Sequence, residues 1–439
     1  MPSFECYLGS SFECECGWSH SIPTKYFLYS KDVFNSIPKI LSREISGKKL
    51  NLLADENTFA AAGQKIENLL KHHGWNVCLT IISSPHGDSP VCDDITFSLL
   101  NEKIKKADVF LAVGSGVVND LTKWLAFENN VPYAVAATAA SMNGYVAANV
   151  APTIKGVKSL IRARAPIAVF AEQEIIINAP YNLTASGLGD LIAKPMSTTD
   201  WVLNHKLFGE HFCERCASLI NEIEPFYFDK PESVKARDEK AIEAIFTALI
   251  YTGFAMTMIG VSSPASGGEH LFSHTLDMMS SVDNIPHDLH GRQVGIGTII
   301  SAALYEKILS IDKPEIHKLP EKIDAKFWGN IAPAIAEQYN AKHQALEIMR
   351  EKLSSQYFWD ELKNSLSKRT RPAKTIAKCL KNAGAASTFK NINCSRERAM
   401  NALLHSHEIR KRPTVIDLAW TVGILPSAAE EILKENFNF

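Results

Sequence analysis

Residues 108–138 read DVFLAVGSGVVNDLTKWLAFENNVPYAVAAT, and the fold is decided here. DVFLAVG (108–114) is apolar on successive residues rather than alternate ones, as a strand is when both of its faces are buried. Gly114-Ser115-Gly116 then allows a sharp turn, GVVNDLTKWLAFENN has helical character, and PYAVAAT (132–138) is a second apolar strand. Strand, glycine turn, helix and strand make a parallel crossover unit. Moving toward the N-terminus, the unit repeats. KLNLLAD is a strand ending at Asp55, TFAAAGQKIENLLKHHG an amphipathic helix closed by Gly74, VCLTII (77–82) a strand and ITFSLLNEKIKKA a helix. Residues 24–48 predict an extended segment and a short helix, and strand character returns at 166–170. Beyond Leu183 long helical patterns dominate, with Arg350–Lys368 and Ala399–Phe439 expected as solvated amphipathic helices. The expected architecture is a Rossmann-like α/β domain over residues 1–180 and an all-α domain over residues 181–439.

Composition narrows the function classes. The 439 residues include 46 basic and 48 acidic side chains, a net charge of −2, so neither nucleic acid nor an anionic membrane is the expected partner. No uninterrupted apolar run approaches the ~20 residues of a membrane span. MPSFECYLGSSFECECGWSH (1–20) has acids and cysteines where a signal peptide needs basic and then apolar residues, so a cytoplasmic location is expected. Nine cysteines, an odd number, suit reduced thiols better than a disulfide framework.

The chemistry concentrates in SGGEHLFSHTLDMMSSVDNIPHDLHGRQVG (266–295), which holds four of the fourteen histidines. On a helix starting near Glu269, His270 and His274 share a face one turn apart. A loop with Asn284, Pro286 and Asp288 follows, and His290 precedes a Gly291 that can open another helix. Two helices can thus each offer an imidazole to one divalent cation. A third ligand must come from elsewhere, and Asp190 in SGLGDLIAK is the candidate. Such a cation would polarise a carbonyl during hydride transfer. His274 could then be a ligand, touch substrate or orient its neighbour.

A cofactor site is expected beside it. Gly114, Ser115, Gly116, Val117 and Val118 place a glycine turn and a helix N-terminus where a pyrophosphate could dock, although Asn119 replaces the third glycine of the dinucleotide fingerprint. Thr138, Ala139, Ala140 and Ser141 follow the next strand with small side chains fit for a nicotinamide or ribose, and Asn143 offers both a donor and an acceptor. Asp55 could accept from an adenosine ribose, favouring NAD over NADP, or be an ordinary loop acid. Cys14-Glu-Cys16 with Cys6 and His20 is a weaker zinc candidate, because the pair is closely spaced and no second pair follows it. Cys213-Glu-Arg-Cys216 sits in a helical pattern and is expected to be two buried thiols.

In order, GSGVVNDLTK, TAASMNGY, GLGDLIAK, SGGEHLFSHTLD and HGRQVGIGT resemble the sn-glycerol-1-phosphate dehydrogenase family. That family lies in the superfamily of iron-dependent alcohol dehydrogenases, glycerol dehydrogenase and dehydroquinate synthase. IRKRPTVIDLAWTVGIL and CECGWSHSIPTK are similar to the bacterial branch. The resemblance implies a cofactor domain, a helical domain and a cleft active site where NAD(P)H reduces dihydroxyacetone phosphate to sn-glycerol 1-phosphate. It implies Asp190, His270 and His290 as ligands of one divalent metal, with zinc expected and nickel or iron as alternatives. It also implies Gly114–Val118 and Thr138–Ser141 at the cofactor, Asp190 and His274 at the substrate, and a homodimer or larger assembly.

This chain departs from the family pattern in several places. Asn143 stands where an Asp is usual, Ala147 where a Ser contacts cofactor, and Arg292 in place of the Glu of HGEQ; Gly189-Asp-Leu-Ile-Ala-Lys194-Pro195 replaces GDLLGKY. Arg162 and Arg164 add charge that suits either a phosphate or an ordinary surface. The alternatives kept open are another polyol or a different phosphorylated or phosphonylated carbonyl compound as substrate, a dehydroquinate-synthase-like cyclase, and an inactive binding protein.

Overall fold

A computed structural model describes residues 5–84, 89–283 and 285–437; Asn284 of the histidine-rich loop lies outside the described residues. The chain begins with an antiparallel hairpin, β1 (Ser10–Glu13) and β2 (Ser19–Ile22), before the edge strand β3 (Tyr26–Ser30). Then come α1 (Ile37–Glu44), β4 (Lys49–Ala54), α2 (Gln64–His72), β5 (Asn76–Ile81), α3 (Asp94–Lys103), β6 (Val109–Gly114), α4 (Gly116–Glu128), β7 (Tyr133–Ala137) and β8 (Ala168–Glu172). β3 to β8 form one six-stranded sheet in the order β3-β8-β7-β6-β4-β5, with every neighbouring pair parallel.

The run that fixed the fold behaves as its pattern requires. Val109, Leu111 and Val113 of β6 enter one core with Phe34, Ile37 and Ile66, while Phe110 and Ala112 enter the other with Leu121 and Leu125. A strand's period of two feeds both layers, so both residue sets must be apolar. β4 departs once: Asn51 is fully buried, and its amide donates to the Lys105 carbonyl at 2.6 Å.

After Glu172 the described residues contain helices and no strand. Those that build the site and its surroundings are α5 (Tyr181–Ile192), α6 (Lys194–Phe208), α7 (Glu239–Ile259), α8 (Gly268–Asp283) and α9 (His290–Leu309). This α/β sheet followed by an all-α half is the expected fold class. α7 is long and apolar enough to cross a membrane, yet 89% of its apolar window is buried inside the fold.

Three local expectations need correction. The helix expected at 58–74 opens with a π-helical turn over Phe59–Gly63, where a Cβ on Gly63 would meet the Phe59 ring at 2.6 Å. Cys213 and Cys216 are not in a long helix, because α6 ends at Gly209 (φ 70°) and Cys213 caps a short helix, Glu214–Ser218. Residues 399–437 are not one solvated run. They break into Arg396–His405, Val415–Thr421 and Ala429–Phe437, and the middle piece is buried with both ends of a capping box supplied by Thr414 and Asp417.

Candidate active site

The sheet reverses direction of growth between β4 and β6: the chain steps from β4 to β5 on one side, then to β6 and onward on the other. The crevice beyond the carboxyl ends of strands at such a switch is where open α/β sheets take ligands. Asp55, the Gly114–Val118 turn and the Thr138–Ser141 loop all follow the carboxyl ends of strands along that edge. Ser115 precedes the first turn of α4 and spends no side-chain hydrogen bond on capping it, leaving the helix N-terminus open. Ala139 and Ala140 are fully buried, Thr138 and Ser141 nearly so. Asp55 is partly engaged, since its Oδ1 accepts the Thr58 N–H at 2.7 Å in a capping box.

α5, α8 and α9 bring the proposed ligands together. A methyl group on Gly189 would collide with the Gly291 carbonyl oxygen, and one on Gly291 would collide with the Ser186 carbonyl. Only glycines permit this close crossing of α5 and α9, which carries Asp190 to the first residue of α9, His290. His270 Nε2 lies 3.4 Å and His290 Nε2 4.0 Å from Asp190 Oδ1. The three ligand atoms all fall within 4.8 Å of one another.

The surroundings aim these atoms inward. Asp190 Oδ2 accepts the Asn143 backbone N–H at 3.0 Å, while Oδ1 is buried with no hydrogen-bond partner among the described residues. His270 Nδ1 contacts Glu269 Oε1 at 2.8 Å and His290 Nδ1 contacts Ser273 Oγ at 3.3 Å, so both Nε2 atoms face Asp190. Zinc-to-ligand distances of about 2.0–2.2 Å give tetrahedral edges of about 3.3–3.6 Å, a range that holds the 3.4 Å His270–Asp190 spacing and falls short of the 4.0 Å His290–Asp190 spacing. A buried carboxylate oxygen facing two imidazole Nε2 atoms fits a divalent cation that takes the place of the proton His270 carries toward Asp190. Burial raises the Asp190 carboxyl, but His270 and His290 outweigh it and hold it below its usual range. Burial would lower His270, yet Asp190 and Glu269 raise it to about 9. Burial takes His290 down to about 4 and His274 well below its ordinary value.

His274 joins this cluster to a cavity of about 420 Å³, with Lys158, Ser159, Arg410 and Lys411 also in its wall. Its ring centre is 6.1 Å from that of His270 and 5.7 Å from that of His290. Lys158 pairs with Asp277 at 3.4 Å, whereas Arg410 reaches the Ser266 hydroxyl at 3.0 Å and, among the described residues, no carboxylate within ion-pair distance. The arginines singled out in the sequence are elsewhere. Arg162 is exposed, Arg164 donates to Asn130 Oδ1 at 2.7 Å, and Arg292 is held by Asp288 at 2.6 Å. Lys158 lies in none of the motifs quoted above and Arg410 lies in IRKRPTVIDLAWTVGIL with no role assigned to it; their convergence on His274 identifies them. Lys123 was missed too: fully buried, it ties the Asn143 loop down through the Gly144 and Asn149 carbonyls at 2.7 and 3.0 Å. The Asn143 amide nitrogen is itself buried, with no partner among the described residues.

A family model described as iron-containing alcohol dehydrogenase matches residues 29–180. A protein of Halalkalibacterium halodurans named glycerol-1-phosphate dehydrogenase (NAD(P)+) is 30% identical over 92% of this chain and 94% of its own length. A Geobacillus thermodenitrificans protein of the same name is 32% identical over 72% of this chain and 78% of its own. Among solved structures, glycerol dehydrogenase from Schizosaccharomyces pombe aligns with a TM-score of 0.60 at 15% identity, covering 94% of this chain and 91% of that one. Sulfoacetaldehyde reductase from Bifidobacterium kashiwanohense aligns at 0.59 and 16%, over 95% and 98%. At such identities the structural likeness speaks for the fold alone.

Proposed function

We infer, for a chain that belongs to the glycerol-1-phosphate dehydrogenase family of the iron-containing alcohol dehydrogenases, that it uses NAD(P)H to reduce dihydroxyacetone phosphate, reversibly, to sn-glycerol 1-phosphate. The observation that carries this reading is the adjacency of the Asp190–His270–His290 cluster to a cavity lined by Lys158, Arg410 and Lys411, with His274 between them. A small ketone bearing a phosphate needs both halves, whereas a neutral polyol would leave Arg410, which has no carboxylate within ion-pair distance among the described residues, without a counter-charge.

In this reading Asp190, His270 and His290 hold one divalent metal, zinc in the first instance. When bound, that cation polarises the substrate carbonyl and offsets charge developing on its oxygen. Glu269 and Ser273 keep the two imidazoles turned toward Asp190. Lys158, Arg410 and Lys411 bind the phosphate, which fixes the carbonyl carbon relative to the nicotinamide. The Gly114–Val118 turn and the start of α4 would hold the cofactor pyrophosphate, Thr138–Ser141 would hold the nicotinamide and Asp55 the adenosine ribose. His274, kept neutral by burial, donates a hydrogen bond to the substrate, and Asn143 positions it from the opposite loop. A bound nicotinamide would supply the hydride to the carbonyl carbon, and the oxygen would take its proton through a hydroxyl or water chain. The division at residue 180 into a cofactor half and a metal half, a homo-oligomeric state and a cytoplasmic location belong to the same proposal.

The test is oxidation of NADH and NADPH by metal-reconstituted protein with dihydroxyacetone phosphate, followed by chiral analysis of the product. The sn-1 phosphate is expected, with no turnover in His270→Ala or His290→Ala. Equal turnover of unphosphorylated dihydroxyacetone would remove the role given to the cationic cavity.

A further inference from the structure

In a cluster that shares no residue with this centre, Cys14, Cys16, His20 and Cys213 bring four ligand atoms within 4.8 Å of one another. We propose that these four residues form a second, closed metal site holding a structural zinc ion. Zinc–sulfur and zinc–nitrogen distances of about 2.3 and 2.0–2.1 Å give tetrahedral edges of about 3.8 Å between sulfurs and about 3.5 Å between sulfur and nitrogen. Cys14 Sγ and Cys213 Sγ are 3.8 Å apart, and His20 Nε2 is 3.3 Å from both Cys16 Sγ and Cys213 Sγ. A disulfide would need sulfurs about 2.05 Å apart.

The chain is shaped to present these atoms. Between the cysteines and β2 the backbone turns tightly, with Gly17 N–H donating to the Cys14 carbonyl at 2.9 Å and Cys14 N–H to the Trp18 carbonyl at 3.0 Å. Gly17 has φ 87°, which a side chain would oppose. His20 is fully buried, and its Nδ1 lies 3.1 Å from the Met258 carbonyl, which can only accept. The proton therefore sits on Nδ1, and the Nε2 lone pair points at the three thiols, as metal-bound imidazoles are held. Trp18 lies face to face on His211, 3.7 Å away, beside the site.

Three thiolates and one imidazole leave no position open, so the ion serves structure and not catalysis, and soft ligands in a tetrahedron select zinc. Its role follows from what it joins. Cys14, Cys16 and His20 belong to the β1–β2 hairpin, whereas Cys213 and the Met258 that orients His20 lie in the helical half. The ion staples the N-terminal hairpin to helices almost two hundred residues further along the chain, ahead of the sheet's edge strand β3.

The test uses full-length protein purified under reducing conditions and carrying His270→Ala and His290→Ala, so that the Asp190 centre contributes no metal. One zinc per chain is expected, falling to none when Cys213→Ser is added. Cobalt exchanged into the double variant should give a near-ultraviolet thiolate-to-cobalt charge-transfer band that Cys14→Ser removes. All nine cysteines should react as thiols after denaturation. A folded double variant without zinc, a bound cobalt with no thiolate band, or two missing thiols, the mark of a disulfide, would each overturn the assignment. Should Cys213→Ser fail to fold, the metal content and cobalt spectrum of the double variant decide alone.

Discussion

Cation affinity at the Asp190 centre should depend steeply on pH, because His270 must give up a proton to become a ligand. In the cation-free protein Asp190 and Glu269 raise His270 to about 9 against the opposing pull of burial. A histidine raised in this way is protonated at pH 7, where only about one chain in a hundred offers a neutral His270. Affinity at pH 7 is then about 100-fold below its plateau, or about 2.7 kcal/mol, and should rise about tenfold per pH unit until it levels near 9. His290, held down at about 4, is already neutral and adds no slope. Calorimetric titration with nickel or cobalt at pH 7, 8 and 9, using His270→Ala as the blank, measures this. Repeating it at pH 7 in buffers of different ionisation enthalpy should count about one proton released per ion. Glu269→Gln separates two effects. It removes an anion that raises His270, so the slope should shift to lower pH. At pH 9, where proton competition has faded, the lost orientation should still cost about 10–100-fold in affinity. A pH-independent affinity with no proton released would refute the reasoning.

Arg410→Met should raise KM for dihydroxyacetone phosphate at least about tenfold, the value of a charge-assisted hydrogen bond, and leave NADH binding unchanged; an unaltered KM would place the phosphate elsewhere. Gly189→Ala should destabilise the fold by about 1–3 kcal/mol in denaturant titrations and also weaken cation binding, since the collision with Gly291 displaces Asp190; metal affinity that survives full destabilisation would uncouple the two. Lys194 is buried and donates to the Pro264 and Cys216 carbonyls at 2.6 and 3.3 Å, and burial lowers it from 10.5 to about 8. Between those values the unfolded chain binds the extra proton, so stability should rise with pH from about 8 to 10.5, by roughly 3 kcal/mol at most. Denaturant titrations of wild type against Lys194→Met across that window should show the difference, and parallel curves would contradict it.

The parts of the fold that were legible in the sequence are those carried by local periodicity. DVFLAVG and PYAVAAT announce doubly buried strands because both of their faces are apolar. His270 and His290 were recognisable because helix geometry and a helix start place them within a short window. Local pattern misled where a break depends on one residue, as at Gly209 ahead of Cys213, or on burial of a short piece such as Val415–Thr421. The arginines singled out in the sequence, Arg162, Arg164 and Arg292, were conspicuous for charge, but charge does not say which way a side chain faces.

The sequence alone determined the alternation of strands and helices and the grouping of His270 and His290, because these depend on residues a few positions apart, and it named Asp190 as the third proposed cation ligand through motif resemblance rather than spacing. The tertiary structure decided which distant groups converge. It set Asp190 against the two histidines through a glycine-lined helix crossing, Lys158 and Arg410 around one cavity, and Cys213 beside Cys14, Cys16 and His20. Those meetings depend on how helices and sheet pack in three dimensions, and spacing along the chain carries no record of that packing.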